Sequence, residues 1–136
     1  MNLASRMSVL APEGAYAVLS RAQALERTGK SIIHLEIGQP DFATPKHIVD
    51  AGIAALKSGK TKYTAPLGIW ELRQAIAKHV AAARATATSA ANVAVTPSGK
   101  TAIFAALAAT VSAGDEVLYP DPGFPTYRTL IEFFGG

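Results

Sequence analysis

The chain of 136 residues contains no cysteine, one tryptophan and two methionines. The absence of cysteine excludes a disulfide framework, a thiolate nucleophile and a thiolate metal site. Charged residues make up 17% of the chain, below the usual quarter. The formal charge of +3 is spread thinly, and the densest basic group is Lys57, Lys60 and Lys62. Such a short cluster reads as a solvated turn, not a track for nucleic acid. The longest apolar run, Ala102 to Ala109, is too short to cross a membrane. The N-terminus lacks the continuous apolar stretch and cleavage pattern of a secretory signal. His34, His47 and His79 lie on different expected elements without partnered acids, so they read as satisfied or exposed histidines and not as metal ligands. These absences favour a cytoplasmic protein with no nucleic-acid or membrane partner.

What the chain does have is apolar residues, 49% of the total. Much of that share is alanine, as suits a chain partly covered by something else. Their spacing alternates between two periods. Ala15, Val18, Leu19, Ala22 and Leu25 share a helical face, and Gly29 ends it. Ile32 to Ile37 reads as a strand. Thr44-Pro45 is expected to supply the N-cap and first position of a second helix, which stops at Gly59. Ile69, Leu72, Ile76 and Val80 stripe a third helix, followed by an Ala/Thr/Ser-rich stretch from Ala81 to Ala91. Asn92 to Thr96 is expected as a strand, Gly99 to Ser112 as a helix, and Glu116 to Tyr119 as another strand. A fifth helix runs from near Phe124 to Phe134, capped by Gly135-Gly136. Strands alternating with helices imply a parallel α/β sheet covered on both faces.

The most telling stretch is Val93-Ala94-Val95-Thr96-Pro97-Ser98-Gly99-Lys100-Thr101. An extended, β-branched run turns through small residues straight into an apolar helix. The first N–H groups of a helix have no partner inside it, and the helix dipole adds positive charge there. An anion such as a phosphate binds readily at such a place. Ser98-Gly99-Lys100-Thr101 resembles the end of a nucleotide P-loop, but the first glycine of that motif would fall on Ala94. Ser58 to Thr61 repeats the tetrapeptide, and there the required position is Ala54. Neither copy can wrap a triphosphate.

Three further segments accompany this turn. They are Leu35 to Pro45 (with Gly38), Lys62 to Arg73 (with Tyr63), and Gly114 to Tyr127 (with Phe124). In this order the four segments resemble the class I/II aminotransferases, which use pyridoxal 5′-phosphate. The resemblance runs from about Ala11 to Gly136. It implies a three-layer α/β/α large domain of fold type I, incomplete here, preceded by an N-terminal helical segment. Residues 1–43 would form the arm and small-domain segment, and 44–136 the first part of the cofactor domain.

The same resemblance implies roles. Ser98, Gly99 and Lys100 would hold the cofactor phosphate through backbone amides, leaving the Lys100 side chain to solvent. Phe124 would lie on the pyridine ring, and Tyr63 would reach the phosphate of a neighbouring subunit in a homodimer. Gly38 would hold the α-carboxylate of an amino-acid or 2-oxo-acid substrate. Taken singly, each has a plainer reading: a turn glycine at 38, an ordinary tyrosine at 63, a core phenylalanine at 124. Asp41 and Asp121 read as turn formers. None of the seven lysines matches the Schiff-base position of the family. The chain is therefore expected to be the N-terminal portion of a longer transaminase and inactive alone. A lyase on the same cofactor, or a non-catalytic remnant, is the alternative.

Overall fold

The structure is a computed structural model and describes residues 2–10 and 13–136. Its regular elements are five α-helices: α1 Gly14–Glu26, α2 Lys46–Lys57, α3 Trp70–Arg84, α4 Gly99–Thr110 and α5 Thr126–Phe134. Two short 3₁₀ turns, Ser5–Val9 and Ala90–Asn92, complete them. The chain divides into two compact units, residues 1–41 with 100–136, and residues 42–99.

All five expected helices form. Three of them end in the same way, with a left-handed glycine at Gly29, Gly59 or Gly135. In each, the next residue donates back five positions: Lys30 to Leu25, Lys60 to Ala55, and Gly136 to Ile131. This is the Schellman arrangement, which satisfies carbonyls the helix itself cannot. The start of α2 differs from expectation. Pro45 is the N-cap, with extended backbone, and no side chain caps the helix. Thr44 is therefore not the cap, and Pro45 stands one position before the first helical residue. The fixed φ of proline suits either place, so composition could not decide between them.

The three expected strands are a larger correction. Among the described residues, 32–37, 92–96 and 116–119 form no β-ladder. Asn92 closes a 3₁₀ turn, and only from Val93 is the backbone extended. β-branched side chains favour an extended chain, but a strand exists only as one member of a ladder. Among the described residues these segments pair with no neighbouring strand.

In the first unit, Phe104 of α4 meets Phe133 and Phe134 of α5 at ring centroid distances of 6.2 and 5.1 Å. Arg6 of the first 3₁₀ turn lies 5.7 Å from the Phe133 ring. Ile131 is buried beside them. In the second unit, Ala77 of α3 and Ala90 are the buried apolar residues. Large apolar side chains stand open on both units, among them Leu35 (89%), Phe42 (89%) and Leu118 (101%).

Candidate functional site

The turn expected to bind an anion comprises residues 93–101. The backbone leaves the 3₁₀ turn extended at Val93. The Val95 N–H donates to the Leu67 carbonyl at 3.0 Å. The Thr96 hydroxyl then donates to the Ser98 carbonyl at 2.8 Å, folding the chain over just before α4. Gly99 opens α4, and a side-chain carbon placed on it would meet nothing within 4 Å. Space therefore lies open against the backbone at the head of a twelve-residue helix. That arrangement fits a phosphate held by amides.

The Lys100 side chain does not simply reach solvent. Its ammonium donates to the Glu13 carboxylate. It also lies 5.6 Å from the Tyr16 ring and 5.5 Å from the Phe124 ring. The hydrogen bond to Glu13 raises the Lys100 pKa, and the Glu13 charge adds to it. A cation in the first turn of a helix opposes the dipole, and Glu13 offsets it. With that pairing the local side-chain charge is near zero, so an anion here depends on backbone N–H groups. Glu13 was not visible as a partner in the sequence, because 87 residues separate it from Lys100.

Phe124 follows the turn Pro120–Gly123. A side-chain carbon on Gly123 would run into the Pro120 carbonyl oxygen, so only glycine passes there. The Phe124 ring meets Tyr127 edge-on at 5.8 Å, besides the Lys100 ammonium. It is partly exposed and not a buried core residue.

Gly38 sits in irregular backbone just after a bend at Glu36 and Ile37. Its φ is not in the left-handed region, and no atom crowds its Cα. Neither a turn nor packing among the described residues demands glycine there. Tyr63 lies on the irregular segment before α3 and is fully exposed. Asp121 stands at a bend beside proline, whereas Asp41, read from the sequence as a turn former, lies in irregular backbone after Pro40. Among the described residues no group of acidic or histidine side chains could hold a metal, and no helix is long and apolar enough to cross a membrane.

His34 is not without acids. Its Nδ1 lies 2.6 Å from Glu36 and its Nε2 2.8 Å from Glu26. Both hydrogen bonds raise its pKa to about 8, the one to Glu36 contributing most. Glu36 is lowered in turn, chiefly by the same bond. The eight-residue separation from Glu26 follows no helical or strand period, which hid the cluster from a sequence reading.

Arg73 is a second residue the sequence reading passed over. From the first turns of α3 its Nε donates to the Val93 carbonyl at 2.8 Å and its Nη2 to the Ala90 carbonyl at 2.6 Å. The guanidinium also lies 5.4 Å from the Trp70 ring.

Comparison with known proteins supplies the remaining observation. The family profile described as aminotransferase class I and II matches residues 30–136. The chain is 45% identical over 118 residues to a (5-formylfuran-3-yl)methyl phosphate transaminase of Methanocaldococcus jannaschii, covering 87% of this chain and 32% of that protein. It is 38% identical over 135 residues to a probable aspartate/prephenate aminotransferase of Thermus aquaticus, covering 99% and 35%. Among solved structures it resembles the aspartate aminotransferase of Thermus thermophilus with maleate, with a TM-score of 0.94 and 36% identity, covering all of this chain and 36% of that one. The chain thus spans about a third of the length of the curated relatives it matches.

Proposed function

Given that the chain belongs to the class I and II aminotransferase family, we propose that it furnishes the cofactor-phosphate and ring contacts of a pyridoxal 5′-phosphate-dependent transaminase. The enzyme would move an amino group between an L-amino acid and a 2-oxo acid. The observation that carries this reading is the uninterrupted family match over residues 30–136, through all four segments.

In this reading the amides at Ser98, Gly99 and Lys100 hold the phosphate. The open space at Gly99 and the pairing of the Lys100 amine with Glu13 support a backbone site. Phe124 lies on the cofactor ring, which its partial exposure permits. Gly38 holds the substrate α-carboxylate by its backbone, consistent with a glycine that no local strain explains. Tyr63, fully exposed, reaches the phosphate of the second subunit of a homodimer. Residues 1–43 serve as the arm and small-domain segment, and 44–136 begin the cofactor domain. The enzyme works in the cytoplasm.

Bound there, the cofactor supplies an electron sink for the pair released at the substrate α-carbon. The residues of this chain bind and orient. No proton transfer is assigned to any of its lysines. The test is product analysis of the complete enzyme with L-amino acids and 2-oxoglutarate. Glutamate forming in step with a new 2-oxo acid is the expected result. Ammonia release without glutamate would overturn the transaminase reading in favour of a lyase.

A further inference from the structure

We propose that Arg73 is the positioning residue for the Ser98–Gly99 turn. This rests on the reading of that turn as the phosphate site. The approach to it runs from the Ala90–Asn92 3₁₀ turn into extended backbone at Val93, and side chains and isolated backbone bonds hold it there. Arg73 supplies two of them, bridging the carbonyls of Ala90 and Val93 with one planar group. Its own backbone N–H is tied to the Ile69 carbonyl in α3, and the Trp70 ring lies against the guanidinium. The fork is therefore presented from a rigid element in a fixed plane.

Two neighbours extend the clamp. Leu67 accepts from the Val95 N–H. Gly68, with φ +96, brings its backbone against the Val95 side chain, where an added carbon would stand 2.8 Å from Val95 Cβ. Arg73, Leu67 and Gly68 together fix the chain from Ala90 to Val95, three residues before Ser98. A site held to within a fraction of an ångström needs such support from residues that never touch the ligand. Lysine could not replace this one, because its point charge cannot bridge two carbonyls in a plane.

The experiment compares the complete wild-type enzyme with its Arg73→Lys and Arg73→Gln variants. Hydrogen exchange without ligand reads the backbone. Binding of pyridoxine 5′-phosphate against pyridoxine, neither of which carries an aldehyde to react with lysines, reads the phosphate site. Both variants are expected to speed exchange of the Val95 amide, which donates to the Leu67 carbonyl, by about tenfold, as loss of a bridging hydrogen-bond pair implies, while α5 keeps its rates. They are also expected to lower the preference for the phosphorylated probe by about tenfold. Unchanged exchange at the Val95 amide, or an equal rise throughout the chain, overturns the role of Arg73. Arg73→Lys decides the matter if Arg73→Gln does not fold. A wild-type chain that binds both probes equally overturns the phosphate reading instead, while the exchange rates still judge Arg73.

Discussion

The Lys100 ammonium donates to the Glu13 carboxylate, tying the first turn of α4 to the residue that precedes α1. Neither helix carries a side-chain signal for the other. The pair holds a cation at a helix head, where the dipole disfavours it, and places that cation beside the rings of Tyr16 and Phe124.

Glu13→Gln is expected to bring the Lys100 pKa down toward the ordinary lysine value, because the hydrogen bond to the carboxylate is the largest cause of its elevation. A raised lysine pKa means that the pair stabilises the fold below the unfolded value and loses that effect as the pH climbs through the folded one. An NMR titration of the Lys100 side chain in the wild type and in Glu13→Gln measures the shift directly. Identical titrations would show that Glu13 does not hold the ammonium.

His34 joins the last residue of α1, Glu26, to Glu36 on the segment that leads to Gly38. Its pKa is raised from 6.5 to about 8, so the bridge is fully charged below the unfolded value and fails as the pH rises through about 8. Glu36 is lowered from 4.5, so its contribution is present above that value and is lost on further acidification. Protection of the 31–36 amides against exchange should therefore be greatest between the two limits. His34→Gln should abolish the alkaline loss and shrink the acid limb, because the bond to His34 is the chief cause of the Glu36 shift. A His34 titration near the unperturbed value would contradict the double bridge.

Gly123→Ala should destabilise the first unit by about 1–3 kcal/mol, the usual cost of forcing extra volume into a tight place. The added methyl meets the backbone oxygen of Pro120, which cannot swing aside as a side chain can. Thermal melting measures the loss. Fluorine labelling of Phe124 would show whether its ring moves away from Lys100. A melting point equal to that of the wild type would mean that the turn relaxes freely.

The open apolar surface carries its own expectation. Leu35, Phe42 and Leu118 are almost wholly exposed, and large apolar side chains left open to water favour association. The chain alone is expected to bind a hydrophobic dye strongly and to self-associate at micromolar concentration in sedimentation runs. A monodisperse monomer that binds no dye would contradict that expectation.

How much was legible depended on the range of the interaction. The α5 cap at Gly135-Gly136 and the stops at Gly29 and Gly59 could be read because a left-handed residue is needed at once, within five positions. The N-terminus of α2 was placed one residue off, because both Thr44 and Pro45 satisfy local preference. The strands could not be read correctly, since β-branched composition reports an extended backbone and says nothing about a partner.

Sequence alone determined where the helices run and which family the four segments resemble. Helical period, glycine stops and short motifs are local quantities, written within a few residues of where they act. Only the tertiary structure decided that Lys100 meets Glu13, that His34 lies between two carboxylates, and that Arg73 grips Ala90 and Val93. Those partners are chosen by how distant segments come together, and no spacing along the chain encodes that distance.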